Sequence, residues 1–158
     1  MNISVLGCGR WGSFIAWYLN KTGHNVKLWG RLGSTHLEEI KKFRRNAYLE
    51  IPSEIHITEN LNECLEFSDV LIVSISAQAL RDFMNCIKSC NVDLKGKIFV
   101  LCMKGIEEST GKRLSEVVKE ILGESTNVAV WVGPGHVQDF VKGIPNCMVV
   151  DCENENIK

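Results

Sequence analysis

Short apolar runs and helical apolar stripes alternate along the whole chain. The runs are Ile3–Leu6, Val26–Trp29, a short one at His56–Thr58, Val70–Ser74, Ile98–Met103, Val128–Val132 and Met148–Val150. Their length suits strands, and continuous apolar character suits strands covered on both faces of a parallel sheet. Between them the period changes. A helix-like run spans Ser13 to Lys21. Leu80, Phe83, Met84 and Ile87 recur at helical spacing, as do Leu114, Val117, Val118, Ile121 and Leu122. Gly123 then supplies a helix stop. Strands alternating with helices predict an α/β domain with a mostly parallel sheet wound on both faces. No internal repeat, low-complexity tract or linker divides it, so one domain is expected over residues 1–158.

Polar and glycine-rich positions gather where the predicted strands end. Gly7 follows the first strand and Gly30-Arg31 the second. Ser74, Ser76 and Gln78 follow the fourth, Lys104-Gly105 the fifth, and Gly133-Pro134-Gly135 the sixth. In an open parallel sheet the carboxyl ends of the strands share one edge, and ligands bind in the crevice along it. The five signals therefore predict one site.

The stretch Gly7-Cys8-Gly9-Arg10-Trp11-Gly12 carries the most chemistry. It joins the first strand to a helix, where free N–H groups and the helix dipole favour a phosphate. Gly7 allows the tight turn, Gly9 lets a pyrophosphate approach the backbone, and Gly12 lets helix and strand pack closely. That context predicts a Rossmann-type dinucleotide site. Arg10 is placed to pair with the pyrophosphate. Trp11 either lines the nicotinamide side of the cleft or packs on the sheet.

An acidic residue is expected at the end of the second strand to bind the ribose hydroxyls. This chain has Leu28-Trp29-Gly30-Arg31 there. A carboxylate would repel a 2′-phosphate, whereas a guanidinium clamps it bidentately. Arg31 therefore points to NADP as the preferred cofactor, with NAD second. Lys104, at a strand end, is either a point charge for an anionic substrate or a solvated lysine.

Bulk composition narrows the classes. The 158 residues are 45% hydrophobic and 23% charged, with a net charge of -1. Near-neutral charge speaks against nucleic acid or an anionic membrane surface. The basic cluster Lys41-Lys42-Phe43-Arg44-Arg45 reads as a solvated helix end. No apolar run is long enough to span a membrane, and no leader pattern opens the chain. Seven cysteines without a C-x-x-C pair, and four scattered histidines, predict reduced thiols, no metal site and a cytoplasmic protein.

The same residues closely resemble the bacterial NAD(P)-dependent glycerol-3-phosphate dehydrogenases. The resemblance runs from residue 2 to about 150. Besides the glycine loop and the Leu28–Arg31 strand end, it rests on Asn46-Ala47-Tyr48-Leu49, Ser74-Ile75-Ser76-Ala77-Gln78-Ala79-Leu80-Arg81, Met103-Lys104-Gly105-Ile106-Glu107, Val132-Gly133-Pro134 and Gly143-Ile144-Pro145. It implies reduction of dihydroxyacetone phosphate to sn-glycerol 3-phosphate for phospholipid synthesis. It also implies that Trp11, Arg31, Lys104 and Val137 meet the cofactor, and that Lys104, Gly133 and Gly135 meet the substrate. Arg10, Gly135 and Val137 depart from the usual serine, serine or threonine, and alanine. Family members carry a second, all-helical domain with the general acid–base lysine. The expectation is thus a cofactor-binding domain with no catalytic residue of its own, and a homodimer when full length. Two other readings are a related two-domain reductase, such as the ketopantoate reductases, and a stand-alone NAD(P)-binding or sensing module.

Overall fold

The computed structural model describes residues 1–157. Their strands are β1 (Asn2–Leu6), β2 (Asn25–Trp29), β3 (His56–Thr58), β4 (Val70–Val73), β5 (Ile98–Leu101), β6 (Asn127–Val132) and β7 (Val149–Cys152). They form one sheet in the order β3-β2-β1-β4-β5-β6-β7. All neighbours pair in parallel except β6 and β7. The helices are α1 (Arg10–Lys21), α2 (Thr35–Phe43), α3 (Leu61–Phe67), α4 (Leu80–Ser89), α5 (Leu114–Leu122) and α6 (Val137–Val141). A 3-10 turn, Ala77–Ala79, leads into α4.

Strand alternation sorts the core into two layers, because successive side chains leave opposite faces of a sheet. Ile3, Val5, Val26, Leu28 and Ile72 face one way and pack with Phe14 and Ile15 of α1, Ile40 of α2 and Val137 of α6. Leu6, Leu71, Val73, Phe99 and Leu101 face the other way, against Leu65 of α3, Met84 of α4 and Val118 of α5. The predicted doubly wound, mostly parallel single domain is the fold observed.

Boundaries shift for identifiable reasons. The fourth and fifth apolar runs are longer than β4 and β5. Ser74 N–H still donates to Leu6 O at 2.9 Å and Cys102 N–H to Val73 O at 3.0 Å. Beyond those bonds β1 has ended beside β4 and β4 beside β5, although β6 runs on to Val132. Helix α1 starts at Arg10 rather than Ser13. Gly9 is its N-cap and accepts from Ser13 N–H at 2.9 Å, so Trp11 and Gly12 belong to the first turn. The last strand is Val149–Cys152 rather than Met148–Val150. Its register is set by antiparallel pairing to β6.

The basic cluster is structural in part. Arg44 ends α2 with a left-handed backbone (φ 53°) and donates to Pro52 O and Ile55 O. Lys41 pairs with Glu59.

Candidate functional site

Strand order places β1 beside β4, with β2 and β3 leading one way and β4, β5 and β6 the other. That reversal opens a crevice at the strands' carboxyl ends. Two cavities occupy it and meet at Ser74 and Ile75. One, of about 780 Å³, is lined by Gly7, Cys8, Gly9, Arg31, Ser34 and His36, with Asp82 of α4 opposite. The other, of about 390 Å³, is lined by Trp11, Lys104, Trp131, Gly133 and Gly135. Signals from all five predicted strand ends therefore reach one crevice.

The glycine loop is built by close packing. Gly7 has φ +124°, and a β-carbon on it would overlap the Ser74 carbonyl. A β-carbon on Gly12 would overlap the Gly7 carbonyl, so helix and strand meet backbone to backbone. Gly9 differs: a β-carbon there meets nothing within 4 Å. Its side faces open space. Ser13 Oγ fixes the loop by donating to Cys8 O at 2.9 Å.

At the first cavity, Trp29 stacks on Phe83 with ring centroids 5.1 Å apart, and both line the wall. The side chain of Arg31 makes no hydrogen bond or ion pair with the described residues. Ser34 caps α2 by accepting from Leu37 N–H at 3.3 Å. Burial pushes the Cys8 thiol up despite the Ser34 hydroxyl beside it. Burial likewise holds Cys102, on the wall of the second cavity, up to about 12. Both thiols are protonated and suit packing rather than nucleophilic work.

At the second cavity, Lys104 is exposed and unpaired among the described residues. Trp11 lines this cavity and also packs on helix residues of α1 and α6. Its ring lies 5.4 Å from Phe14 and 6.0 Å from Phe140. Phe140 also explains Gly135, because a β-carbon there would run into its ring. At Gly133 a β-carbon would come within 2.7 Å of Cys147 O.

Three expected residues line neither cavity, and one is Gly12, buried against the Gly7 carbonyl. Arg10 lines neither cavity. Its guanidinium bonds Gln138 of α6 and sits 4.4 Å over the Tyr48 ring. Val137 is 2% exposed and packs in the core. It lines neither cavity, so the structure does not bring it to the crevice. Sequence reasoning missed Ser34, His36 and Asp82. Ser34 carried a usable signal, a capping residue just ahead of an apolar helical stripe. Among the described residues no group of three or more His, Cys, Asp or Glu could hold a metal. No helix among them is long and apolar enough to cross a membrane.

The model of one sequence family, the NAD-dependent glycerol-3-phosphate dehydrogenase N-terminus, matches residues 2–158. This chain belongs to that family. A glycerol-3-phosphate dehydrogenase [NAD(P)+] of Thermoanaerobacter sp. is 42% identical over 153 residues, covering 95% of this chain and 45% of that protein. One from Pelodictyon phaeoclathratiforme is 38% identical, covering 94% and 46%. The chain thus spans about half the length of the glycerol-3-phosphate dehydrogenases it matches. The crystal structure of such an enzyme from Coxiella burnetii superposes with a TM-score of 0.87 at 23% identity, over 99% of this chain and 48% of that one. A pyrroline carboxylate reductase of Plasmodium falciparum, with NADP bound, shares the fold at a TM-score of 0.66 and 12% identity.

Proposed function

We propose that this chain binds a nicotinamide dinucleotide, NADP(H) before NAD(H), and is the cofactor-binding part of a glycerol-3-phosphate dehydrogenase. The carrying observation is one continuous crevice with an open glycine backbone at its middle and an unpaired cation in each arm, Arg31 and Lys104. Gly9, with open space on its side, leaves room for a pyrophosphate. Gly7 and Gly12 shape that cradle, and Trp11 walls the nicotinamide end. Arg31 clamps the 2′-phosphate, beside Ser34 and His36. Arg10 reaches the pyrophosphate by leaving Gln138. Val137 acts from behind, through the packing of α6.

A bound reduced nicotinamide would supply hydride to the carbonyl carbon of dihydroxyacetone phosphate, and a general acid of the family's helical domain would protonate the resulting alkoxide to give sn-glycerol 3-phosphate. Lys104, where cofactor and substrate sites meet, offers its ammonium to the bound cofactor and to the anionic substrate as a point charge. Gly133 and Gly135 lend backbone surface, and Phe140 occupies the space a side chain at 135 would need. The product feeds phospholipid synthesis in the cytoplasm, and the whole protein works as a homodimer. Nucleic acid is no partner: the net charge is -1, and much of the one basic cluster is engaged internally.

Titration calorimetry of the chain with NADPH and NADH tests the cofactor reading. A hydrogen bond to a charged group is worth about 1.5–3 kcal/mol, so NADPH should bind roughly 10-fold or more tightly. Arg31→Ala should narrow the gap. Equal affinities for the two cofactors would remove Arg31 from the site.

A further inference from the structure

We propose that Gln78 and Arg81 are positioning residues for Lys104. Both precede or open α4, and neither lines the crevice. They act on the loop that leaves β5. Gln78 reads that loop as a strand would. Its Nε2 donates to Ile106 O at 3.0 Å, and its Oε1 accepts from Glu108 N–H at 3.0 Å. Between those contacts lies Glu107, whose side chain turns inward. Arg81 meets it with a two-pronged fork, Nε to Oε1 and Nη2 to Oε2, both at 2.8 Å. Such forks fix direction as well as distance. Thr110 Oγ1 donates to the same carboxylate at 2.5 Å. Arg81 also reaches Glu120 of α5, with Nη2 to Oε2 at 3.0 Å, and Lys112 closes the group on Glu120 at 2.9 Å.

Lys104 therefore stands between two anchors. Upstream, Cys102 N–H is held by Val73 O at 3.0 Å. Downstream, Gln78 holds Ile106 and Glu108, and Arg81 holds Glu107. The residue between Lys104 and the second anchor is Gly105, at φ +105°, which takes the sharp change of direction. An exposed lysine beside a glycine has many positions open to it. The clamp restricts them by fixing the backbone on both sides. The contacts are made to backbone and to Glu107, so the work of Gln78 and Arg81 passes through the loop and not through a ligand.

The inference rests on the reading that Lys104 meets the bound cofactor, and its test separates the two. Fluorescence titration with NADPH is run on the chain and on Gln78→Leu, Arg81→Lys, Lys104→Ala and the double variant Gln78→Leu/Lys104→Ala. Thermal melts verify folding. Amide hydrogen exchange at Gly105 to Glu107 is followed without cofactor. Lys104→Ala is expected to weaken binding roughly 10-fold, and Gln78→Leu by about 3- to 10-fold. In the Lys104→Ala background Gln78→Leu should change nothing further, since a positioning residue acts only through the group it holds. Arg81→Lys keeps the charge and loses the fork, and should fall between. Exchange should quicken in Gln78→Leu. Equal losses from Gln78→Leu in both backgrounds would show a general structural role and overturn the proposal. So would unchanged affinity in both Gln78→Leu and Arg81→Lys. Unchanged affinity in Lys104→Ala, with exchange still quickened, would overturn it differently, by taking Lys104 out of the site while leaving the clamp.

Discussion

Gly9 and Gly12 lie in one helical turn but are glycine for different reasons, and substitution should separate them. At Gly12 an added methyl meets the Gly7 carbonyl, which is backbone and cannot swing aside. Overpacking of this kind costs about 1–3 kcal/mol. At about 2–4 °C per kcal/mol for a domain near this size, Gly12→Ala should lower the melting temperature by roughly 2–12 °C. Gly9 has a backbone that any residue can adopt (φ -68°, ψ -173°) and open space around it. Gly9→Ala should leave stability within about 0.5 kcal/mol and still weaken NADPH binding, because the methyl points into the space proposed for the pyrophosphate. Melting curves beside cofactor titrations check the pair. Weak melting with intact binding for Gly9→Ala would mean that the loop serves the fold alone. The steric role of Gly12 is legible in the motif. The packing of Gly30 is not. Its missing β-carbon makes room first for the Cys8 thiol and then for Leu37, whose Cβ would lie 3.0 Å away, and no short pattern links position 30 to 8 or to 37.

Between elements, the joint of α4, α5 and the β5–α5 loop adds an ion-pair network to its apolar packing. Arg81 holds both Glu107 and Glu120 down to about 2, chiefly by hydrogen bonding to each. The ordinary carboxyl value is 4.5. Between those values the unfolded chain takes up protons that the folded chain does not. Stability from this joint is therefore complete above about pH 4.5 and is lost progressively as pH falls toward 2. Denaturant midpoints measured from pH 7 down to 3 should fall across that window. In Arg81→Met the midpoint should be lower at pH 7, because Glu107 is left buried without its partner, and the further loss on acidification should be smaller. A parallel decline in both proteins would place the acid sensitivity elsewhere. The elements themselves follow from periodicity. The ends of β4 and β5 do not, because an apolar run continues past the point where one neighbouring strand stops.

For the molecule as a whole, the prediction concerns turnover. Among the described residues the crevice holds an unpaired ammonium, Lys104, but no positioned acid–base pair. Such groups contribute about 10²–10⁴-fold, and an open cleft also weakens orientation and water exclusion. These 158 residues alone should bind NADPH yet oxidise it with dihydroxyacetone phosphate far more slowly than a whole glycerol-3-phosphate dehydrogenase. Absorbance of NADPH over time reads this directly, and rates near those of a whole enzyme would mean the acid lies within this chain. What the sequence determines is local. Short apolar runs and the 3.6 period set strands and helices, glycine spacing sets the loop, and Arg31 at a strand end brings a cation to the first cavity. Tertiary structure decides what depends on distant partners. It orders the strands with β1 beside β4, turns β7 antiparallel, buries Val137 and sends Arg10 to Gln138. It also joins Arg81 to Glu107, 26 residues on. Local patterns report which face of an element is apolar. Which face meets which is settled only when the layers pack.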